Sequence, residues 1–567
     1  MRPTTCLHAA SLVLATALTA CAGTRVIQTT TVPPPPPPAE PAEAAVPAPA
    51  APDPAAAATA VDGLADRYVA AYFEHFPDAA TGEGIAGADH GRLPDNSLAG
   101  LAAWHAVEDE LLAELRAVDA AALPTEARLT HDFLADLLES AIGRRICHIP
   151  LWEVSPTWTG WQSRYAYLAS IQPVGTAEER QMAVARFREL PRFLDQEVDR
   201  LREGVRLGYT APRVNVARVI EQMDSLLALP LADSPFYQPA VRAEDEAFAA
   251  ELAPVVEDQV QPAIRRYRDY LADEYLPAAR EDIAVAANPE GAACYRAAVR
   301  YHTSVQMSPE EIHRLGQEQM EILLAQMREI GERSFATADP EQLLERVGEP
   351  PYTFSSRQEM VDYARAAVAR AEAAIPEWFG IVPTAEVVVV PYPEFRERSA
   401  PGGEYSAASD AGDRPGTYYI NTYRPETQSK AGVEATAFHE AYPGHHLQIS
   451  IAKERQDTHP IQRYFGTSGF SEGWALYTER LAEEMELYSG DVDLLGLLSN
   501  EALRAARLVV DSGMHALGWS REQALDYLLD HTAESRDLAA AEIDRYIAVP
   551  GQATAYMIGN LEIRRLR

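Results

Sequence analysis

The chain has 567 residues, and its 49 basic and 84 acidic side chains give it a net charge of −35. Such a surface repels nucleic acid and anionic lipid, so the composition argues against polyphosphate partners. Apolar residues make up 47% of the chain, as expected of a globular protein with a large core.

The first twenty residues have the features of a bacterial export signal. Arg2 supplies a positive charge, and the apolar run over 12–18 that follows is too short to span a membrane as a mature helix. The run leads into LTAC at 18–21, which resembles the lipobox of bacterial lipoproteins. We therefore expect a signal peptide over 1–20 and a lipid on Cys21. The alternatives are an ordinary secretory signal cleaved near Ala20 and a chance cysteine in an apolar run.

A segment rich in proline and alanine follows the signal. Prolines fill 33–38 without interruption, and alanine and proline dominate up to about residue 58. This composition cannot form a core and predicts an extended polyproline II spacer. The predicted organisation is a lipidated linker over 21–59 and a helical domain over 60–567, with the possibility of two lobes around a cleft.

The predicted location is the bacterial envelope. In Gram-negative lipoproteins a residue other than aspartate after the lipidated cysteine, here Ala22, favours the outer membrane, with the domain facing the periplasm. No later segment is apolar for long enough to span a bilayer. Membrane contact is therefore expected only through the N-terminal lipid.

The folded part of the chain reads as mainly α. Apolar residues recur at helical spacing over 61–76, 98–118, 127–142, 178–207, 244–274, 309–333, 356–375, 499–517 and 521–529. Two runs rich in β-branched and aromatic residues, 385–390 and 417–421, predict strands of a small sheet. An edge strand beside a cleft could bind an extended peptide through its backbone. A purely structural hairpin is the alternative.

Two features in the middle of the chain stay open at this stage. Cys147 and Cys294 would lie in an oxidising compartment, where they form a disulfide or remain two buried thiols. Trp152, Trp158 and Trp161 cluster in a turn-rich stretch, where they line a cleft or cap the core.

The segment HEAYPGHH at 439–446 carries the candidate metal site. In the usual zinc-peptidase motif, His-Glu-x-x-His, two histidines stand one helical turn apart and the Glu acts as base toward the metal-bound water. Here Pro443 occupies the fourth position after His439, and the next histidines are His445 and His446. The Pro-Gly pair predicts a kink or bulge that returns one of them to the metal. His446 has the better angular phase, and we favour it slightly.

The segments 439–448, 472–477 and 550–553 together resemble a bacterial family known as domain of unknown function 885. The resemblance implies a large, mostly helical gluzincin-like peptidase fold, with a small sheet beside the active-site helix and a deep cleft. The family is distantly similar to angiotensin-converting-enzyme relatives. In that class a Glu from a following helix completes the zinc site, and Glu472 stands in a similar segment.

Further candidates surround this set. Glu479 lies seven positions after the candidate third ligand and could hydrogen bond a ligand histidine. Tyr546 and Tyr556 are candidates for stabilising the oxyanion of a tetrahedral intermediate. Arg424 and Tyr419, in or just after the second predicted strand, are candidates for binding substrate.

These residues predict zinc-dependent hydrolysis of peptide bonds in short peptides. Glu440 would activate the metal-bound water, and Zn²⁺ is the expected metal because two imidazoles and a carboxylate leave a fourth position for water. The expected partner is a peptide substrate, cleaved by an exopeptidase or oligopeptidase. The alternatives are a metal-dependent hydrolase of another amide or ester, such as a cell-wall peptide, and a non-catalytic envelope lipoprotein that binds peptide or metal. The oligomeric state stays open.

Overall fold

A computed structural model of the protein describes residues 53–567, apart from residues 86, 394–396, 398–399, 411, 413 and 533. The predicted signal peptide, Cys21 and the proline run lie outside the described residues. The described part is mainly α with one small sheet, which confirms the predicted fold class. None of its helices is long and apolar enough to cross a membrane.

Most helices of the described part come before the sheet in the chain. They are Pro54–His75 (α1), Pro77–Glu83 (α2), Leu98–Leu115 (α3), Thr125–Arg144 (α4), Trp161–Ile171 (α5), Ala177–Leu207 (α6), Arg213–Ala228 (α7), Gln238–Ala243 (α8), Glu246–Val255 (α9), Gln261–Tyr270 (α10), Leu276–Ala278 (α11), Gly291–Thr303 (α12), Pro309–Ile330 (α13), Pro340–Val347 (α14) and Arg357–Trp378 (α15). Three π-helical turns, Val256–Val260, Leu271–Tyr275 and Gly331–Phe335, continue α9, α10 and α13.

The remaining helices follow the sheet and contain the motif segments. They are Val433–Glu440 (α16), His445–Glu454 (α17), Ile461–Tyr464 (α18), Ser468–Glu484 (α19), Asp491–Ala516 (α20), Arg521–His531 (α21), Arg536–Ala548 (α22) and Ala555–Leu566 (α23). Single 3-10 turns connect some helices: Ala120–Ala122, Arg145–Cys147, Ile149–Leu151, Leu231–Asp233, Pro235–Tyr237, Val285–Ala287, Pro425–Thr427 and Gln552–Thr554.

The first helix begins earlier than the predicted domain start at residue 60. The Asp53 side chain accepts a hydrogen bond from the backbone N–H of Ala55, and Pro54 occupies the first helical position. Both features favour a helix start. The helix therefore reaches into the segment predicted as linker.

The sheet has three strands, Val387–Pro391 (β1), Gly403–Ser406 (β2) and Gly416–Ile420 (β3), in the order β1-β3-β2. The strands β1 and β3 pair in parallel, and β2 pairs with β3 in antiparallel orientation. The two strands predicted from sequence are β1 and β3. The prediction missed β2, which is short and lies in a Gly-rich loop, and β2 forms an edge of the sheet.

The helix α16 is embedded between α15, α19, α20 and β2. Its Phe438 is fully buried in a core cluster with Val368 of α15, Tyr418 of β3 and Leu447 of α17. Burying one such large apolar side chain contributes about 1.5–3 kcal/mol to stability. The sheet and the helices therefore hold α16 and α17 in place around the motif.

A disulfide joins Cys147, just after α4, to Cys294 in α12, with an S–S distance of 2.17 Å. This outcome decides between the disulfide and the two free thiols that the sequence left open. The bond links positions separated by 147 residues. Because it closes a long loop, it restricts the unfolded chain more than a local bond would.

Replacing both cysteines with serine should lower the free energy of unfolding by about 2–5 kcal/mol, since the unfolded chain regains the entropy that the bond removes. Chemical denaturation of the oxidised protein and of the Cys147→Ser/Cys294→Ser variant measures this difference. A reducing agent should destabilise the native chain and leave the double variant unchanged. Equal stability of the two proteins would contradict the prediction.

Candidate metal centre

The helices α16 and α17 are separated by a sharp break at residues 441–444. Pro443 cannot continue a helix, and the backbone of Ala441 (φ −105°, ψ −105°) and of Gly444 (φ −78°, ψ −131°) lies outside the helical region. A Cβ atom at Gly444 would stand 1.9 Å from the carbonyl oxygen of His439. Only glycine therefore permits this approach, which turns the chain back so that α17 begins with His445 beside His439.

The structure brings together His439, His445 and Glu472. The Oε2 atom of Glu472 lies 3.6 Å from Nε2 of His439 and 3.5 Å from Nε2 of His445. One potential ligand atom from each of the three lies within 4.8 Å of the others. Two ligands of one tetrahedral zinc ion stand about 3.4 Å apart when each is about 2.1 Å from the metal. The three side chains therefore have the spacing of ligands that share one ion.

The electrostatics of the cluster favour a cation. Burial lowers the pKa of His439, but the carboxylates of Glu472 and Glu479 outweigh burial and raise this pKa to about 9. Burial would raise the pKa of Glu472, but His439 and His445 hold it well below its usual value. A positive charge on the imidazole side of the cluster, whether a proton or a metal ion, is thus stabilised by the carboxylates of Glu472 and Glu479.

Glu479 lies seven residues after Glu472 in α19 and fixes the orientation of His439. Its Oε1 accepts a hydrogen bond from Nδ1 of His439 at 2.8 Å, and its side chain is fully buried. This hydrogen bond holds a proton on Nδ1 and directs Nε2 of His439 toward Glu472. The structure thus places Glu479 where the sequence predicted it. The Tyr488 hydroxyl donates a hydrogen bond to the backbone carbonyl of Glu479 at 3.0 Å, which helps to fix the helical turn around Glu479.

His446 does not join the cluster. It is completely buried; its Nε2 donates to the carbonyl of Ala385 at 3.0 Å, and its Nδ1 accepts from the Tyr405 hydroxyl at 2.9 Å. The preference for His446 over His445 is therefore corrected. The argument from angular phase assumed one bulged helix, whereas the chain starts a new helix whose first residue faces His439. His446 instead ties α17 to the sheet.

Glu440, the predicted base, is the last residue of α16 and is buried next to the cluster. Burial raises the pKa of its carboxyl, and the charges of His439 and His445 act in the opposite direction. Its Cγ lies 3.3 Å from the point where a Cβ of Gly403 would stand. The carboxylate and the edge strand β2 therefore meet at the same side of the cluster.

The two candidate tyrosines have different positions. The ring of Tyr556 lies 6.5 Å from the ring of His439, tilted by 21°. Tyr546 is buried one layer further back, where its hydroxyl donates to Glu542 and accepts from Nε of Arg507 at 2.8 Å. The structure brings Tyr556 to the cluster and does not bring Tyr546 there.

The two candidate substrate-binding residues also lie away from the cluster. Arg424 is exposed, and its guanidinium stands 3.7 Å from the Glu426 carboxylate. Tyr419 stacks on Tyr392 with ring centroids 5.6 Å apart. Neighbouring strand residues point to opposite faces of the sheet, and here Tyr418 takes the face toward α16. Burial raises the pKa of Tyr418, and the Glu440 charge raises it further.

Sequence reasoning missed two residues near the cluster. Tyr405 of β2 contacts His446, and its ring stacks at 6.4 Å from that of His445. The guanidinium of Arg507 lies 4.5 Å from the ring centre of Tyr556. A signal for Arg507 was present, since a cation within the apolar run of α20 is expected to have a dedicated partner. No comparable signal marked Tyr405, because β2 itself was not predicted.

Comparisons with known proteins identify the family and the fold. The chain is similar in structure to a candidate lipoprotein from Colwellia psychrerythraea, with a TM-score of 0.83 and 23% identity over 90% of this chain and 92% of that one. A candidate lipoprotein of unknown function from Shewanella oneidensis gives a TM-score of 0.65 and 17% identity over 89% and 93% of the two chains. At these identities the likeness concerns the fold.

No curated protein matches the chain significantly. A family model described as "Bacterial protein of unknown function (DUF885)" matches residues 77–567. Because the match covers most of the chain, including every residue of the candidate metal centre, the protein belongs to the DUF885 family.

Proposed function

We propose that the protein is a zinc-dependent peptidase that acts on short peptides. The observation that carries the proposal is the placement of two imidazole nitrogens and one carboxylate oxygen, from His439, His445 and Glu472, at the spacing of metal ligands. Two histidines and a glutamate are a ligand set of catalytic zinc sites, which keep a further position open.

The residues fit a metal better than a hydrogen-bonded trio. A hydrogen bond between an imidazole N–H and a carboxylate oxygen is usually about 2.7–3.2 Å long. The two contacts of Glu472 are longer, at 3.6 and 3.5 Å. His439 makes a normal hydrogen bond only through its other nitrogen, to Glu479 at 2.8 Å. This is the arrangement in which a carboxylate orients a metal-binding histidine.

The surrounding residues supply the rest of the chemistry. A zinc ion in this position contributes Lewis acidity, which polarises a carbonyl and favours ionisation of water. Glu440 accepts the proton of the attacking water and delivers it to the leaving amine. The hydroxyl of Tyr556 donates toward the oxygen of the scissile carbonyl as negative charge develops there.

The edge strand supports peptides as the substrate class. Gly403 of β2 lies against the Glu440 side chain. An extended peptide that pairs with β2 through its backbone would pass directly along the proposed base. The deep cleft that the family resemblance implies stays part of this proposal.

We further propose that the enzyme works in the bacterial envelope, anchored by a lipid on Cys21. The LTAC sequence at 18–21 and the description of two structural relatives as candidate lipoproteins support this location. The outer membrane, with the domain facing the periplasm, is the more specific proposal.

The first prediction separates the two neighbouring histidines. The native protein should bind about one zinc ion per chain, as a three-ligand site does. His445→Ala should lose the metal, because it removes a ligand. His446→Gln should keep it, because glutamine can still donate to the Ala385 carbonyl. Elemental analysis after dialysis measures the stoichiometry, and circular dichroism checks folding. Retention of zinc by folded His445→Ala would contradict the ligand assignment.

The second prediction concerns the base. Glu440→Gln should bind zinc like the native protein and lose at least about 100-fold in kcat on a mixed peptide library, since general-base catalysis contributes about 10²–10⁴-fold. Mass spectrometry of the digest gives the activity. Glu318→Gln, an exposed carboxylate of α13, is the matched control and should retain most activity. Peptide hydrolysis by Glu440→Gln at the native rate would exclude the proposed role.

The third prediction concerns the oxyanion. Tyr556→Phe should reduce kcat by about 10²–10³-fold with little change in KM, since the hydroxyl acts only as charge develops. Zinc content should stay at the native level. Tyr546→Phe serves as the comparison and should affect stability more than kcat, because its hydroxyl contacts Arg507 and Glu542 away from the cluster. A larger loss of kcat in Tyr546→Phe would reverse the assignment.

A further inference from the structure

A cavity of about 300 Å³ lies at the beginning of α19. Its walls come from the end of α4, from α12, from the Trp-rich stretch and from the segment that follows α22. Its lining includes the side chains of Arg144, Trp152, Glu153, Trp158, Tyr301 and His302. The cavity takes no part in the zinc chemistry described above.

Arg144 is the chemically distinctive group of this cavity. Its guanidinium stacks on the ring of Tyr301, 3.6 Å from the ring centre. Within the described ranges of the chain, no carboxylate forms an ion pair with it and no acceptor forms a hydrogen bond with it. The chain carries 84 acidic residues, and comparable half-buried arginines are paired, as Arg370 is with Glu434 at 2.6 Å. Burial raises the pKa of Glu153 in the same cavity and the Arg144 charge lowers it, but the guanidinium forms no ion pair with that carboxyl, so its N–H groups remain available to an external anion.

The remaining walls favour a flat or apolar group beside that anion. Trp158 is 59% exposed and stands at the opening, whereas Trp152 is buried behind it and donates from Nε1 to the Cys147 carbonyl at 2.8 Å. Burial, followed by the Arg144 charge, lowers the pKa of His302 to about 3, so its ring is neutral. Glu153 lines the same cavity, and burial raises the pKa of its carboxyl, which favours the neutral form.

The cavity adjoins the candidate metal centre along two segments. Ser468 lines it, and Glu472 follows one turn later on the same helix, about 6 Å along the axis. Pro550 lines it, and Tyr556 follows in the next helix. An extended peptide advances about 3.3 Å per residue. A chain end in the cavity therefore lies a few residues from a bond at the centre.

We propose that this cavity binds the C-terminal residue of a peptide substrate, with the terminal carboxylate on Arg144 and an apolar or aromatic side chain against Trp158. The inference rests on the proposed peptidase function and specifies it as removal of short C-terminal units. Because the face of the guanidinium stacks on Tyr301, its edge N–H groups remain available for a two-pronged contact with a carboxylate.

The test measures binding apart from turnover. The zinc-loaded Glu440→Gln variant is used because it should not cleave the peptide. It is titrated calorimetrically with two N-acetylated peptides that end in phenylalanine, one with a free C-terminal carboxylate and one with a C-terminal amide. We expect the free acid to bind at least tenfold more tightly than the amide. Arg144→Met in the same background should remove this preference, and Arg144→Lys should keep part of it. Arg128→Met, at an exposed position of α4, is the control and should keep all of it.

Each outcome decides the inference. Equal affinity for acid and amide, or no binding of the acid, overturns it. So does a preference for a free N-terminal amine, which would assign the cavity to Glu153 instead. If Arg144→Met fails to fold, Arg144→Lys decides instead, because an undiminished acid preference in that variant overturns the inference. A clear acid preference without any peptide cleavage by the native enzyme would keep the binding site and refute the peptidase function. Cleavage of both peptides at equal rates would do the reverse.

Discussion

The candidate metal centre depends on the close approach of Gly444 to the backbone carbonyl of His439. A regular helix through this segment would carry the second histidine away along the axis, because each residue adds about 1.5 Å of rise. The break lets α17 start anew with His445 next to His439. A Cβ at this point would collide with the backbone at 1.9 Å, so the irregular motif has glycine for a steric reason. Pro443 before it keeps the two helices from merging.

The burial of so many ionisable groups around this break must be balanced by partners. His439 hydrogen bonds Glu479, and nearby pairs such as Arg480 with Glu501 neutralise other buried carboxylates on the neighbouring helices. Removing one partner of a buried pair typically costs about 3–5 kcal/mol, because the other charge remains without compensation. The apolar cluster around Phe438 supplies stability that offsets this polar cost. A divalent cation among the ligands would compensate the remaining negative charge.

Much of the fold was predictable because a helix leaves a local pattern of apolar residues in the sequence. Apolar spacing identified most long helices, and β-branched runs identified β1 and β3. The strand β2 was missed because four residues in a Gly-rich loop have no strong local preference and become a strand only by pairing with β3. The disulfide was undecided for a similar reason: sequence separation says nothing about the distance between two thiols.

The site was predictable in composition and less so in geometry. Glu472 and Glu479 were predicted from spacing and from the family resemblance, and in the structure both side chains contact His439. The choice between His445 and His446 failed because it assumed a continuous helix, and a backbone break resets the angular phase. The two tyrosines differ only in tertiary position, which a sequence does not contain. Arg424 was a reasonable candidate by chemistry, yet the turn after β3 directs it to solvent.

The most direct test of the account is a crystal structure of the zinc-loaded protein with diffraction measured at the zinc absorption edge. We expect one strong anomalous peak about 2.0–2.2 Å from Nε2 of His439, Nε2 of His445 and a carboxylate oxygen of Glu472. His446 should remain hydrogen bonded to Ala385 and Tyr405. A fully occupied zinc ion elsewhere, or a peak bound through His446, would contradict the account.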